Sequence, residues 1–150
     1  MSTNLTAFIR SPRAILGVRI LGALVLVFVG LDHYYEYSAQ DYSVLPTIGT
    51  LFLLNFISAT AIGLILLAPL ERIFHRTGAL VMQAAALSGA GIAATSLVAL
   101  LVSEQTKLFG FMESNYRPEI VIAIASEASA AVLLSALFAL AYGHRRVAVM

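Results

Sequence analysis

The 150-residue chain is predicted to be all-α, a four-transmembrane-helix antiparallel bundle with both termini cytoplasmic. Composition carries the first part of that prediction. Hydrophobic residues make up 60% and charged residues 11%, with a mean hydropathy of +0.91, far from the balance of a water-soluble domain. Four long apolar runs carry the second, since a bilayer core of ~30 Å takes about 20 residues of helix. The distribution of arginine carries the third. One bundle with short loops uses the whole length, so a single domain, 1–150, is expected.

The first run, Ala14 to Leu31, predicts a helix over about 14–36. Its arginine-bearing flank and apolar core have the outline of a secretion signal, but no small-x-small cleavage site follows, so it is read as a retained span. Arg19 lies near its cytoplasmic end, where the long stem lets the guanidinium reach back to the interface. The second run, Val44 to Leu70, predicts a helix over about 44–69, with Pro46 in the first turn and Pro69 at the end. The third, Gly78 to Val102, predicts 78–103 with Thr77 as its cap. The fourth, Ile120 to Tyr142, predicts 118–142, with Pro118 in the first turn and Glu119 at the positive end of the helix dipole. Ile and Val favour strands in water, but hydrocarbon offers the backbone no partner, so helix prevails.

Arg10, Arg13, Arg19, Arg72, Arg76, Arg145 and Arg146 fall in the N-terminal segment, the middle loop and the C-terminal tail, whereas the other two loops hold only Lys107 and Arg117. Positive charge is retained on the cytoplasmic side, which places both termini there in a multi-pass protein of the plasma (cytoplasmic) membrane. The chain has no cysteine, which excludes disulfides, iron–sulfur clusters and thiolate metal sites.

One acid interrupts the last run. An ionised carboxylate at mid-bilayer is costly without partners, so Glu127 must be protonated, paired or facing water. Each returning helix opens with proline and carries a polar side chain nine residues later, Asn55 after Pro46 and Glu127 after Pro118. That spacing places both groups ~13 Å along their helices, at matched depth. A protonated Glu127 donating to the Asn55 amide would be satisfied without charge. The pair serves either proton exchange or ligand binding, or simply locks helices two and four together.

Asp32, His33 and Glu36 form a second cluster at the outer end of helix one. On a continuing helix, steps of three and four residues place His33 and Asp32 on the face of Glu36. One histidine with scattered acids is a poor metal signature, and no metal is expected. These groups are either solvated at the headgroups or turned inward, His33 toward Glu127, as a proton relay or a clamp on a quinone carbonyl. Tyr34, Tyr35, Tyr37, Tyr42, Phe109, Phe111 and Tyr116 crowd the same side, as an aromatic belt or as the mouth for an apolar ligand.

Gly89, Gly91 and Ala94 spell a dinucleotide fingerprint, yet they lie inside an apolar span with no preceding strand. Packing explains them better. Ala85, Gly89 and Ala93, Ala86, Ala90 and Ala94, and Ala131, Ser135 and Ala139 repeat small residues every fourth position, so helices three and four should approach closely or meet another subunit. Gln83, Thr95 and Ser96 are placed to bridge helices. His75 and His144 belong to cytoplasmic ends, which excludes a bis-histidine haem at mid-membrane.

The segment HYYEYSAQDYSVLPTIGTLFLLNFI, His33 to Ile57, resembles one in uncharacterised small four-helix integral membrane proteins of actinobacteria, and the overall plan is similar to the DoxX-like group. One lysine against eight arginines fits a GC-rich bacterial genome. The resemblance is most specific over Leu31 to Phe56 and covers the rest as a hydropathy pattern. Some DoxX-type proteins are associated with quinone-linked oxidoreductases, so the resemblance implies a respiratory-chain neighbourhood and brings quinone into view as a cofactor.

The leading expectation is a non-enzymatic accessory or small lipophilic-ligand-binding membrane component, with no catalytic residues and no nucleic-acid partner. It would act as a homo-oligomer or in a respiratory-type complex. The alternatives are a small proton-coupled transporter using Glu127 and a quinone-linked respiratory accessory subunit.

Overall fold

The computed structural model describes residues 11–74, 77–113 and 117–148, with the side chains of Glu71 and of 143–148 excepted. Arg10, His75, Arg76 and Tyr116 lie outside the described residues, as do the side chains of His144, Arg145 and Arg146. Among the described residues, four helices are long and apolar enough to cross a membrane. No strand forms among the described residues, and the nearest feature is an isolated bridge between Leu108 and Phe111.

Helix α1 spans Pro12–Ala39. Ser11 caps it by accepting a hydrogen bond from the Ala14 amide at 3.2 Å, and Pro12 supplies a first helical residue that needs no amide partner. It runs past Glu36 because nothing in HYYEYSA breaks a helix, and the chain then turns through Asp41 in the left-handed region into a 3₁₀ turn, Tyr42–Val44. That turn occupies residues expected to open the second span. Helix α2 therefore begins at the proline and covers Pro46–Leu67. A four-residue helix α3, Leu70–Ile73, follows Pro69.

Helix α4 covers Gly78–Ser103. Thr77 precedes it, but its hydroxyl makes no capping bond, so the expected cap is a position without the chemistry. Helix α5 covers Pro118–Ala148, continuing beyond the predicted end at 142. Hydropathy marks where apolar character stops, whereas the backbone can stay helical into charged sequence.

α1 packs on α2 and α5, and α4 packs on the same two helices, giving a four-cornered bundle. Leu26, Val29, Leu66, Leu134 and Leu137 fill its centre, and Ala23, Ala59, Ala86, Ala93 and Ala130 let the backbones approach. At Gly63 a Cβ would stand 3.0 Å from the Ala23 carbonyl, and at Gly89 it would stand 2.8 Å from both Leu26 and Leu134. The α4 prediction holds for Ala85, Ala86, Gly89, Ala90 and Ala93, but Ala94 is exposed. On α5 the inward face is Ala130, Leu134, Leu137 and Ala141, while Ser135 and Ala139 of the predicted stripe are exposed. Four-residue steps alone do not say which of several small stripes meets a neighbour.

Large apolar side chains cover the outside, among them Leu24, Phe28, Ile57, Leu87 and Val132. This is the surface that an acyl-chain solvent requires. Arg19 departs from its expected reach toward the interface. It is buried, its Nε donates to the Leu66 carbonyl at 2.7 Å, and its Nη2 also bonds the Ala68 carbonyl. A guanidinium at the carbonyl end of α2 satisfies acceptors that the helix leaves open and favours the dipole.

Candidate functional site

On α1 the buried residues Arg19, Gly22, Leu26, Val29, His33 and Glu36 follow one stripe at steps of three and four. The apolar centre of the stripe packs the core. Its far end carries His33 and Glu36 into a cavity of about 640 Å³ bounded by α1, α2, α4, α5 and the connection after α4. Leu54 on α2 and Val98 on α4 line this cavity and are themselves exposed, so it opens laterally between those helices.

Glu127 forms the inner polar end of the cavity and is 1% exposed. Its Oε1 lies 3.5 Å from His33 Nε2, and its Oε2 has no hydrogen-bond partner. His33 Nδ1 is 2.9 Å from the Val29 carbonyl, which can only accept, so Nδ1 carries a proton. Nε2 of a neutral ring is then an acceptor, and it lies 3.0 Å from Ser96 Oγ. The Ser96 hydroxyl also lies beside the Glu127 carboxyl, where a rotation would turn it to that group. Two proton arrangements satisfy this chain. A protonated Glu127 donates to Ser96, which donates to neutral His33; or an imidazolium donates to Ser96, which donates to the carboxylate.

A second polar group closes the outer end. Tyr42 donates to Glu113 Oε2 at 2.6 Å, and Arg117 Nη2 lies 3.1 Å from the Tyr42 hydroxyl, 3.4 Å from Glu36 Oε2 and 3.7 Å from Glu113 Oε2. The Glu113 amide donates to the Ser103 carbonyl at 3.1 Å, which ties the loop to the end of α4. Burial, and then the bond to Glu113, raises the Tyr42 phenol well above its ordinary value of 10.0. Between the two polar ends stands an aromatic wall. Tyr42 stacks on Phe52 at 4.9 Å and meets Phe111 edge-on at 5.3 Å, and Phe52 lies 5.0 Å from the His33 ring.

Asp32, His33, Glu36, Asn55 and Glu127, read separately from the sequence, all line this one cavity. The expected bond between Asn55 and Glu127 is absent. Asn55 Oδ1 is buried without a partner, and Glu127 turns to His33 instead. The nine-residue spacing from each proline sets an expected depth but not the rotation of α2 and α5. Of the predicted bridges Ser96 crosses to α1, Thr95 bonds back to the Gly91 carbonyl of its own helix, and Gln83 Nε2 is buried without a partner.

Sequence reasoning missed the clamp of Tyr42, Glu113 and Arg117. Glu113 and Arg117 stand four apart, a pairing spacing, but they precede α5, where helical spacing has no force. No known family, curated protein or solved structure matches the chain, so the likeness to the DoxX-like group gains no support from these comparisons.

Proposed function

We propose that this chain is a multi-pass component of the bacterial plasma membrane that binds a small lipophilic ligand without acting on it chemically. The observation that carries the reading is a laterally open apolar cavity of about 640 Å³ lined at its inner end by Glu127, one of whose buried carboxyl oxygens has no hydrogen-bond partner. That volume lies within the ~300–1,000 Å³ of small-molecule sites, and buried polar atoms are ordinarily satisfied by something. An opening between α2 and α4 among exposed leucine and valine suits a ligand arriving from lipid.

The helices run antiparallel in this reading, with both termini cytoplasmic. Arg19 near the start of α1 meets the end of α2, and His33 near the end of α1 meets Ser96 late in α4 and Glu127 early in α5, as alternating directions require. The arginine-rich ends then lie inside, and the cavity lies in the outer half of the membrane.

A second reading, proton-coupled transport, is favoured by the His33–Ser96–Glu127 chain, whose two arrangements differ by one proton moved through a hydroxyl. Quinone falls under the first reading as a neutral ligand whose carbonyl would accept from a protonated Glu127.

Binding of decylubiquinone, a neutral apolar probe, to the purified full chain tests the first reading. Saturable binding that is lost in Ala99→Phe, a change at the cavity wall, is the expected result. Binding unaffected by that substitution, in a variant with an unchanged thermal transition, would overturn it.

A further inference from the structure

We infer that the ligand class of the cavity is an organic cation with a large apolar body. The inference rests on the ligand-binding reading above and adds charge to it. Asp32, Glu36, Glu113, Glu119 and Glu127 all line the cavity. Arg117 meets Glu36 and Glu113, and neutral His33 turns an acceptor nitrogen to Glu127, so it offers an ionised carboxylate no hydrogen bond unless it takes up a proton.

Two oxygens of this set are buried and have no hydrogen-bond partner, on residues that line the cavity: Glu127 Oε2, on a side chain 1% exposed, and Glu36 Oε1, on a residue 5% exposed. When its group is ionised such an oxygen accepts and never donates, so what completes it in that state must donate a hydrogen bond or carry positive charge. Asp32 adds repulsion, because it lies within electrostatic range of both Glu119 and Glu127. A bound cation would relieve these contacts together.

The walls decide what kind of cation. Metal ions need several converging hard ligands, and among the described residues no group of three or more His, Asp or Glu is placed to hold one. The carboxylates are instead spread from the inner end to the outer end, with Phe52, Tyr42 and Phe111 between them. Aromatic faces attract organic cations, and apolar walls require an apolar body around the charge. The lateral opening between Leu54 and Val98 gives such an amphiphile a route from the leaflet.

The experiment places the full chain in phosphatidylcholine nanodiscs and measures binding of three probes after subtraction of empty discs. Tetraphenylphosphonium is the cation, tetraphenylborate is an anion of the same shape, and decylubiquinone is neutral. Saturable binding of tetraphenylphosphonium is expected, with tetraphenylborate at least about 30-fold weaker. Glu127→Gln should weaken the cation roughly 30-fold and narrow its margin over tetraphenylborate, since the charge is lost. Should that variant fail to fold, Glu36→Gln and the comparison of the three probes on the unaltered chain carry the test. If tetraphenylborate binds as well as the cation, or only decylubiquinone binds, the charge assignment is wrong and the ligand-binding reading survives. If no probe binds, both are wrong.

Discussion

His33 and Glu127 face each other across the bundle with Nε2 and Oε1 3.5 Å apart, and the Val29 carbonyl fixes which ring nitrogen does the facing. Because Nδ1 must keep its proton for that carbonyl, the nitrogen turned to Glu127 and Ser96 has no proton of its own in the neutral ring. The hydroxyl of Ser96 can donate to either side and so joins the two groups. An acid and a base held by one rotatable hydroxyl form a single cooperative unit.

Ser96→Ala should therefore lower stability by about 1–3 kcal/mol, because it leaves a buried ring nitrogen with one partner fewer and removes the hydroxyl beside Glu127. Thermal unfolding in detergent measures it. Combined with Glu127→Gln, the loss should be smaller than the sum of the single losses by at least about 0.5 kcal/mol, as expected for members of one network. Strict additivity would show that Ser96 and Glu127 act separately.

Tyr42 gives the pH prediction. Its phenol is raised above 10.0, first by burial and then by donation to Glu113, so the folded chain holds this proton more tightly than the unfolded chain does. The sign follows directly. The stabilisation is fully present below pH 10.0 and is lost as pH rises from there through the folded-state value. In a tyrosinate absorbance titration one of the six tyrosines should resist deprotonation until the chain unfolds, and Tyr42→Phe should remove the resistant fraction. Six tyrosines titrating together near 10.0 would contradict the clamp.

The spans were legible because hydrocarbon imposes a crude requirement, length and apolarity, that composition meets visibly at four places. The inward turn of His33 and Glu36 was half legible. Their three- and four-residue steps continue the stripe of Leu26 and Val29, but the sequence does not say whether the stripe ends at a headgroup or a cavity. Asn55 shows the limit of depth arguments, since equal height left the rotation of two helices free. Arg19 shows the limit of hydropathy, which registers a charge in a span but not the open carbonyls of Leu66 and Ala68 beside it. Tyr42, Glu113 and Arg117 were illegible as a unit, because two irregular connections bring them together and no periodicity governs such segments.

Close approach of α1 and α2 gives a packing prediction. A Cβ at Gly30 would stand 2.5 Å from Thr60 Oγ1 and 3.1 Å from the Phe56 carbonyl, and one at Gly63 would meet Val27 and the Ala23 carbonyl. Gly30→Ala and Gly63→Ala should each cost about 1–3 kcal/mol through forced separation of the two backbones. Gly91 has nothing within 4 Å of the same position, so Gly91→Ala should be neutral or should gain up to ~1 kcal/mol from helix propensity. Equal thermal shifts for the three variants would mean that backbone proximity does not hold α1 to α2.

Orientation decides which leaflet feeds the cavity, and the absence of cysteine makes it directly measurable. Lys107 lies in the connection at the cavity end, whereas Arg72 lies in α3 at the end where Arg19 meets Leu66 and Ala68; both residues are exposed. Lys107→Cys in intact spheroplasts should react with a membrane-impermeant maleimide, and Arg72→Cys should react only after lysis. The proposed orientation, with the arginine-rich ends in the cytoplasm, requires that order. With it, an amphiphile reaches Glu127 from the outer leaflet through the opening between α2 and α4. The reverse order would place the cavity in the inner leaflet, where cytoplasmic amphiphiles would be its source, and would remove the cytoplasmic assignment of both termini.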